Sequence, residues 1–561
     1  MPRAAEGCFA GRNGQGLPAR EAGQHVSQTR RFWGWGCEES APGEEHQRAV
    51  AGLLAARFER QAPQLQTPPR ISDIGMASPR IQAPPILREI FSSQPTDRAG
   101  HTYGKAFRDI VRGLRRDFSP APDLVAFPRD EADIVAVLDW AGAGDVAIIP
   151  YGGGSSVCGG VEARLDGAYR AAVSLDLTKL DKVIEIDRRS RAARIQAGIF
   201  GPALETALRP AGLTLRHFPQ SFEFSTLGGW IATRSGGHYA TLYTHIDDFV
   251  EALRVVTPAG TLQTRRLPGS GAGPSPDRMF IGSEGTLGVI TEAWMRLQDR
   301  PRFRASASIG FKDFARGAEA VRQIGQAGLY PSNLRLLDAG EAANSGVGDG
   351  RNALLLLAFE SAHHELDAWM RAALECCRDN GGSIPDAAGR TKTDTSASRS
   401  GTAGAWREAF LRAPYLRDVI VAMGYISETF ETAVTWDRFE NFHAIILREV
   451  GDVLRRVCGT GSLTCRFTHV YPDGPAPYYT ILAPSTPGSQ LEQWSEIKAA
   501  AGEIIDRLGA TITHHHAIGR DHRPWYDRQR PDLFARALSA AKGELDSRGI
   551  LNPGVLIRAR G

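Results

Sequence analysis

The sequence has few cysteines and no long apolar run. Its 7 cysteines are scattered over 561 residues, apart from the neighbours Cys376 and Cys377, and no two have the CxxC spacing. This argues against a disulfide framework and a structural zinc module, and favours a reducing compartment. The most apolar stretch, Asn352 to Phe359, is far shorter than the roughly 18 to 20 residues that a membrane span needs. We therefore expect a soluble, cytoplasmic protein.

An excess of charge of one sign is also missing. Lys and Arg number 66 against 63 Asp and Glu, which gives a formal charge of +3 with no dominant basic run. Nothing therefore calls for a nucleic-acid partner. Residues 1 to 28 lack the apolar core of a secretory signal and are expected to form a flexible tail. The length is that of a chain with two to four domains.

The segment from Asp123 to Pro150 predicts a strand, a helix and a second strand. A short apolar strand ends before Pro128, and Asp130 then stands where a helix N-cap is expected. Apolar residues follow at helical spacing, and the second strand, Asp145 to Pro150, opens into a glycine-rich loop.

The pattern changes near residue 301. Before it, residues 171 to 297 contain short strands separated by turns. After it, residues 303 to 373 predict a strand, a helix, two strands and a helix, an order typical of an α+β layer on an antiparallel sheet. A second domain is therefore expected to begin near residue 301. The small polar residues from Asp386 to Gly404 predict a mobile loop.

Three glycine-rich segments carry the chemistry. In Pro150-Tyr-Gly-Gly-Gly-Ser-Ser-Val157, three glycines let the backbone approach a ligand, and successive amides can cradle a pyrophosphate. For that loop taken alone, an ordinary surface turn that binds no ligand is the alternative interpretation. From His217 to Gly237, small and hydroxylated residues alternate with aromatics, which suits a backbone lying along a planar ligand. Gly282-Ser-Glu-Gly-Thr-Leu-Gly-Val-Ile290 is a third glycine-punctuated turn entering a strand.

Together these segments resemble the FAD-binding domain of the vanillyl-alcohol oxidase and para-cresol methylhydroxylase superfamily. Shorter motifs narrow the resemblance to the alkyldihydroxyacetonephosphate synthase family. They are Phe32-Trp-Gly-Trp-Gly36, Ser174-Leu-Asp-Leu-Thr-Lys-Leu180, Glu223-Phe-Ser-Thr226, Leu334-Arg-Leu-Leu-Asp338, Tyr415-Leu-Arg-Asp418, Thr435-Trp-Asp-Arg438, Cys465-Arg466 and His514-His-His516. The resemblance runs from about Phe32 to Leu556.

The resemblance implies a set of FAD-binding residues. The pyrophosphate is expected on Pro150, Tyr151, Gly152, Gly153, Gly154, Ser155 and Ser156. The rest of the cofactor is expected along Gln220, Ser221, Phe222, Glu223, Phe224, Ser225 and Thr226, then Thr233, Arg234, Ser235 and Gly236, and finally Glu284, Gly285, Thr286, Leu287, Gly288, Val289 and Ile290. Members that bind FAD covalently use a His or Cys near the cofactor. The loop from Gly152 to Ser156 has neither, so we expect noncovalent FAD, although Cys158 lies just beyond.

The resemblance also implies the catalytic residues. Tyr478 matches the catalytic tyrosine, and His514, His515 and His516 match residues needed for activity. Arg417 and Arg335 match substrate-binding or activity-determining arginines. A phenol can shuttle a proton if a neighbouring cation lowers its pKa, histidines relay protons near pH 7, and arginine binds anions in a bidentate manner. Two alternatives stay open: zinc binding by the histidines, and an ion pair of Arg417 with Asp418 or Glu428.

The resulting hypothesis is an α+β enzyme with a two-subdomain FAD-binding domain of the para-cresol methylhydroxylase type and an antiparallel-sheet cap domain. The expected parts are a tail over 1–28, a helical segment over 29–118, the FAD-binding domain over 119–300, the cap over 301–513 and a C-terminal segment over 514–561 that completes the active site. The flavin ring is expected between the FAD-binding domain and the cap.

The family's reaction exchanges the acyl group of acyl-dihydroxyacetone phosphate for a fatty alcohol through a flavin N5 adduct, a step of ether lipid synthesis without net redox change. The alternative function is an FAD-linked dehydrogenase or oxidase of a 2-hydroxy acid. The expected partner is a small-molecule or lipid substrate, and no resident metal is expected. A peripheral membrane contact and a homodimer are both compatible with this reading.

Overall fold

The computed structural model describes residues 30–165, 169–243, 245–385, 389–393 and 401–558. The predicted flexible tail, residues 1–28, lies outside this described part. The chain divides into two compact units. We call residues 32–34, 68–300 and 505–558 the glycine-loop unit, and residues 30–31, 35–67 and 301–504 the cap unit.

The helices and strands are as follows in chain order. The strands are β1 Phe91–Ser92, β2 Leu124–Ala126, β3 Val146–Tyr151, β4 Ala171–Asp176, β5 Val183–Asp187, β6 Ala192–Gln196, β7 Leu213–Thr214, β8 Val250–Thr257, β9 Gly260–Gln263, β10 Val289–Arg296, β11 Gln298–Asp299, β12 Phe303–Phe311, β13 Asn333–Leu337, β14 Ala353–Ser361, β15 Tyr425–Glu431, β16 Ser462–Val470 and β17 Pro475–Pro484. The α-helices are α1 Glu44–Phe58, α2 Pro95–Gly100, α3 Phe107–Leu114, α4 Glu131–Ala143, α5 Gly201–Leu208, α6 Leu227–Thr233, α7 Ala240–Tyr243, α8 Asp277–Phe280, α9 Phe314–Gln326, α10 Ala339–Asn344, α11 Asp367–Asp379, α12 Gly401–Ala422, α13 Trp436–Cys458, α14 Gln490–Arg507, α15 Arg523–Gln529 and α16 Asp532–Leu545.

The first sheet of the glycine-loop unit has the order β1-β2-β4-β3, in which β2, β4 and β3 are parallel. The predicted strand, helix and strand are β2, α4 and β3, and the Asp130 side chain accepts a hydrogen bond from the Asp133 amide as an N-cap. β4, an inner strand, is buried throughout, as expected of a parallel strand covered on both faces. β3 is last in this order but is almost fully buried, and its Ile148 forms a parallel bridge with Leu551. Of the apolar positions on α4, Val135 is exposed.

The second sheet of this unit is antiparallel, with the order β5-β6-β10-β8-β9. Thr257 pairs with Gly260 where β8 turns into β9, so Thr257-Pro-Ala-Gly260 forms the hairpin turn. Apolar side chains from this sheet and from α5 and α6 form one buried core, and the first sheet and α4 form another. The unit thus has the two-subdomain organisation that the sequence predicts.

The cap unit contains a six-stranded antiparallel sheet with the order β12-β14-β13-β16-β17-β15. The predicted strand, helix, two strands and helix are β12, α9, β13, β14 and α11, so this prediction is confirmed. The sequence analysis missed α10, a six-residue helix whose N-cap is Asp338. It is short and half polar, so its periodicity gives little signal.

The loop predicted over residues 386 to 404 is partly wrong. Residues 401–404 form the first turn of α12, while 386–388 and 394–400 lie outside the described residues. The composition misled because glycine and threonine at a helix start look like loop residues. Further along, Val419, Ile420 and Met423 pack against α1 in a buried cluster.

Two negative findings concern the described residues. Their six cysteines are all free thiols. None of the helices among them is long and apolar enough to cross a bilayer.

Candidate active site

The glycine loop follows β3 and packs against a neighbouring segment of the same unit. A Cβ built on Gly153 would fall on the carbonyl oxygen of Phe224, and one built on Gly152 would collide with the Thr226 hydroxyl. Gly154 has φ +69°, in the left-handed region that glycine adopts readily. The backbone of residues 152–154 therefore takes a course that side chains would block.

The same loop presents unused hydrogen-bond donors. Within the described part of the chain, the amides of Gly152, Gly154, Ser155 and Ser156 donate no hydrogen bond. The Ser156 hydroxyl accepts a hydrogen bond from the Gly160 amide at 2.9 Å, which closes the turn. Consecutive amides around a residue with positive φ form a concave anion site. The loop therefore fits the pyrophosphate of FAD.

The segment from Gln220 to Thr226 contributes mainly backbone. Phe222 is buried in the core and stacks on Phe218 with ring centroids 4.5 Å apart, whereas the Glu223 side chain is exposed. The Ser225 hydroxyl accepts from the Trp230 indole at 2.6 Å and donates to the Ser221 carbonyl at 2.7 Å. These predicted residues are close together in the fold, but their side chains mostly form ring contacts and hydrogen bonds within the protein.

The residues from Thr233 to Gly236 behave similarly. The Thr233 hydroxyl donates to the Gly229 carbonyl at 2.8 Å, and Arg234 pairs with Asp247 at 3.1 Å. The Ser235 hydroxyl lies 2.7 Å from Nε2 of His217. Hydroxyl groups that the sequence analysis assigned to the cofactor thus have partners within the protein.

The third segment joins the glycine loop to the C-terminal region. A Cβ on Gly285 would lie 2.9 Å from Cγ of Pro150, so this turn packs directly on the glycine loop. The Thr286 hydroxyl donates to the Ser283 carbonyl. Four further residues of the segment are buried and can offer the cofactor only their backbone: Leu287, Gly288, Val289 and Ile290.

Glu284 is buried at the centre of this junction. Its carboxylate accepts hydrogen bonds from the amides of Ile518 and Gly519 at 2.9 and 2.8 Å. It therefore fixes the chain just beyond the three histidines. Burial raises its pKa from 4.5 to about 7, although the two amides act in the opposite direction.

A pH dependence follows from Glu284. Between pH 4.5 and 7 the folded protein keeps a proton that the unfolded chain releases, so stability falls as pH rises through this window. We expect the unfolding free energy of the wild type, relative to Glu284→Gln, to drop by about 3 kcal/mol across it. Denaturant unfolding of both proteins at pH 4.5, 6 and 7.5 checks this, and parallel pH profiles would contradict it.

The histidines are adjacent in the glycine-loop unit. The Nδ1 atoms of His514 and His515 are 3.1 Å apart, so one of them carries the proton that the other accepts. The His514 ring is edge-on to His245 at 4.9 Å, and the His515 and His516 rings are 4.7 Å apart. Burial lowers the pKa of His245, and His515 adds to this effect. The cluster can therefore relay protons without every ring being charged.

Cys158 lies next to the glycine loop but is a poor nucleophile. It is buried, and its thiol donates to the carbonyl of His516 at 3.0 Å. Burial raises its pKa well above the ordinary value, with Glu284 adding to the effect. Flavin attachment requires a reactive thiolate. The geometry therefore favours noncovalent cofactor binding.

Tyr478 occupies the cap sheet. It lies on β17 and is 5% exposed. Its direct partners on the two neighbouring strands are Arg466 on β16 and Glu431 on β15. The sequence analysis expected a neighbouring cation to lower the phenol pKa. Arg466 is that cation, 4.0 Å from the ring centroid, but burial outweighs it and the pKa of Tyr478 is raised.

Arg335 and Arg466 are buried on the same face of this sheet, 2% and 7% exposed. Both guanidinium groups lie near the Trp406 ring, at 5.7 and 5.8 Å, and Arg466 pairs with Glu341. Two buried arginines on the face that carries Tyr478 suit an anionic substrate. Arg466 is not among the predicted site residues, although the Cys465-Arg466 match to the family pointed to it.

Arg417 lies on α12 and is engaged by the fold. Its guanidinium donates to the carbonyl of Ser427 at 3.1 Å and pairs with Glu428 at 3.3 Å. The ion pair with Glu428 is the alternative that the sequence left open. The other alternative partner, Asp418, instead accepts from the Trp35 amide at 2.7 Å. Trp35, in the motif Phe32-Trp-Gly-Trp-Gly36, thus binds Asp418, the residue after Arg417.

Comparison with known proteins agrees with these features. Residues 122–265 match the FAD binding domain model, and residues 300–556 match the model of the C-terminal domain of FAD linked oxidases. An alkyldihydroxyacetonephosphate synthase of Caenorhabditis elegans is 30% identical over 493 residues, covering 83% of this chain and 81% of the relative. One from Dictyostelium discoideum is 29% identical over 82% of this chain and 77% of the relative.

A solved structure supports the same assignment. A crystal structure of alkyldihydroxyacetonephosphate synthase superposes with a TM-score of 0.76 at 25% identity, covering 93% of this chain and 98% of that one. The match extends over both units of the fold. FAD is therefore the cofactor of this enzyme, and the chain belongs to the alkyldihydroxyacetonephosphate synthase family of FAD-dependent enzymes.

Proposed function

We propose that the protein exchanges the acyl group of acyl-dihydroxyacetone phosphate for a fatty alcohol and thereby forms an ether bond. The observation that carries this proposal is a buried phenol, Tyr478, against the buried guanidinium group of Arg466, with the buried Arg335 on the same face of the sheet. This arrangement joins a proton acceptor to cations that attract a phosphate. It occurs in a chain whose reported relatives carry the synthase name.

The protein's own residues perform the proton transfer and the substrate binding. Tyr478 takes the proton from the substrate carbon next to the carbonyl and returns it after the alcohol has added. Arg335 and Arg417 hold the anionic group, and His514, His515 and His516 relay protons for the departing acid and the entering alcohol. When bound, oxidised FAD supplies an electrophile for the substrate carbon.

The proposed cofactor contacts are those of the glycine-loop unit. The amides of residues 152–156 would hold the pyrophosphate, and the backbones of residues 220–226, 233–236 and 284–290 would line the remainder. Two observations support this assignment: within the described residues the amides of Gly152, Gly154, Ser155 and Ser156 donate no hydrogen bond, and Gly153 packs on Phe224.

We expect the flavin to be released by acid. Cys158 is buried and protonated, and the glycine loop contains neither His nor Cys. Precipitation of the yellow protein with acid should leave the colour in the supernatant. Colour that remains with the washed precipitate would reveal a covalent bond.

The alternative, an FAD-linked oxidase or dehydrogenase of a 2-hydroxy acid, is weaker. It accounts for the FAD domain, and arginines can bind the carboxylate of such an acid, but the relatives that are 30% and 29% identical carry the synthase name. Incubation with acyl-dihydroxyacetone phosphate and an isotopically labelled fatty alcohol, followed by mass spectrometry, tests the proposal. A labelled ether product supports it. Unchanged substrate, together with oxidation of a 2-hydroxy acid, supports the alternative.

Location and assembly form a further part of the proposal. We place the enzyme in the cytoplasm with a peripheral membrane contact, because its proposed substrates are lipids. Leu533 and Phe534, 71% and 51% exposed at the start of α16, support this contact. Co-sedimentation with vesicles tests it, with Leu533→Ser as the variant. A homodimer rests on the family resemblance, and the mass in solution tests it.

A further inference from the structure

Tyr478 lies between two buried charges of opposite sign. In the register of the cap sheet, Arg466 is its direct partner on one side and Glu431 its direct partner on the other. Directly paired residues of antiparallel strands project to the same face. The phenol therefore has a cation and an anion as its nearest neighbours across the two strands.

Arg466 is held in place against the ring. Its guanidinium carbon lies 4.0 Å from the centroid of the Tyr478 ring, and it forms an ion pair with Glu341. The second oxygen of Glu341 accepts a hydrogen bond from the Thr464 hydroxyl at 2.7 Å. Both charged groups are buried, so the pair is fixed and shielded from solvent.

Three charged groups have resolved effects on the pKa of the phenol. Arg466, and more weakly Arg417 on α12, favour the phenolate, whereas Glu431 disfavours it. The Thr429 side chain also favours the phenolate through a hydrogen bond. Burial is the largest effect and raises the pKa of Tyr478. Arg466 is thus the strongest counterweight to burial.

We propose that Arg466, positioned by Glu341, controls how readily Tyr478 gives up its proton. It thereby sets the fraction of Tyr478 present as phenolate, the form that accepts the substrate proton. Arg466 acts here through the tyrosine, as a positioning residue, and this role is distinct from the phosphate binding assigned to Arg335 and Arg417. The inference rests on the proposed function only in giving Tyr478 the part of proton acceptor.

The direct test is the titration of the Tyr478 phenol in the FAD-loaded enzyme. The ultraviolet phenolate absorbance of each protein, minus that of the same protein carrying Tyr478→Phe, reports this group alone. At a fixed pH near 10, we expect Arg466→Met to lower the phenolate fraction of Tyr478 by about tenfold, which corresponds to about one pKa unit. Arg466→Lys, which retains a charge, should lower it less.

The direction of the change separates this role from a structural one. If Arg466→Met merely loosened the sheet, Tyr478 would become more exposed and its raised pKa would fall toward the ordinary value near 10. The proposal requires the pKa to rise further. Glu431→Gln should act in the opposite direction and increase the phenolate fraction.

A matched control is available on α1. Arg57 is exposed and also interacts electrostatically with Glu341, but it lies on α1 and not on either strand that pairs with β17. Arg57→Met should leave the phenol titration unchanged. An equal effect of Arg57→Met, or an unchanged titration in Arg466→Met, would overturn the proposal.

The pH dependence of kcat/KM distinguishes this inference from the proposed function. If Tyr478 is the proton acceptor, the rising limb of the rate profile should move to higher pH together with the phenol titration in Arg466→Met. A phenol titration that moves while the rate profile does not supports control by Arg466. It would contradict the catalytic role of Tyr478.

Discussion

Tyr478→Phe is expected to lower turnover by about a hundredfold or more while leaving FAD content close to wild type and costing only about 1 kcal/mol of stability, for the hydrogen bond with Thr429. The substitution removes only the hydroxyl, and the ring retains its contact with Arg466. The change therefore removes the group that carries the proton and leaves the packing of the ring in place. Steady-state rates with acyl-dihydroxyacetone phosphate and a fatty alcohol check this expectation.

Tyr479 provides the matched control. It is the next residue on β17, so its side chain projects to the opposite face, where it stacks on Phe430 at 4.9 Å and bonds to Nδ1 of His443 at 3.0 Å. Tyr479→Phe should therefore cost stability, by about 1 kcal/mol for the lost hydrogen bond, with turnover largely retained. If Tyr479→Phe abolishes turnover and Tyr478→Phe does not, the catalytic assignment is wrong by one residue.

Gly153→Ala is expected to weaken FAD binding by about tenfold to a hundredfold. A methyl group at this position would fall on the carbonyl oxygen of Phe224. Because that oxygen belongs to the backbone, no side chain can move aside and the loop itself must move. Overpacking of this kind costs about 1 to 3 kcal/mol. Because the amides of the loop are the proposed pyrophosphate ligands, their displacement should appear as lost flavin. Titration of the apoprotein with FAD measures the effect.

Gly142 is the corresponding control. It lies on α4 with open space around a built Cβ, so Gly142→Ala should bind FAD as the wild type does and gain about 0.5 to 1 kcal/mol in stability. Normal FAD affinity in Gly153→Ala would show that the glycine loop has another function. Equal loss of FAD in both variants would show that any change in this unit disturbs the cofactor.

Much of the fold could be predicted because local signals agreed with burial. In α4, the Asp130 cap and the apolar spacing both indicate the helix that is found, and in the cap sheet the alternation from Phe303 to Phe311 gives β12 as observed. The start of α12 shows the limit. Residues 401–404 have loop-like composition, but they begin a helix whose Trp406 and Phe410 lie in a buried cluster.

The site was predictable in part for a different reason. The glycines of the FAD loops are visible in the sequence because only they permit the close backbone approach seen at Gly153. The roles of Ser225 and Ser235 were not visible, because a hydroxyl that supports its neighbours has the same sequence signature as one that binds a ligand.

Partnerships between distant residues lay beyond the sequence analysis. Arg466 and Tyr478 are brought together by the register of β16 and β17, and Glu341 meets Arg466 only through the fold of α10. A sequence pattern specifies which residues share a face of one strand, but not which residue lies opposite on the next strand. For Arg417 the sequence left two carboxylates open, Asp418 and Glu428, and the tertiary fold selects Glu428.

Ether formation without net redox change is distinguished from oxidation of a 2-hydroxy acid by the redox state of the flavin during turnover. The purified yellow enzyme is mixed anaerobically with acyl-dihydroxyacetone phosphate and a fatty alcohol, and the visible flavin absorbance is recorded while the ether product accumulates. A parallel sample receives D-lactate. We expect ether product with the flavin oxidised at the end of the reaction, and no bleaching by D-lactate. Rapid bleaching by the 2-hydroxy acid, without any ether product, would contradict it.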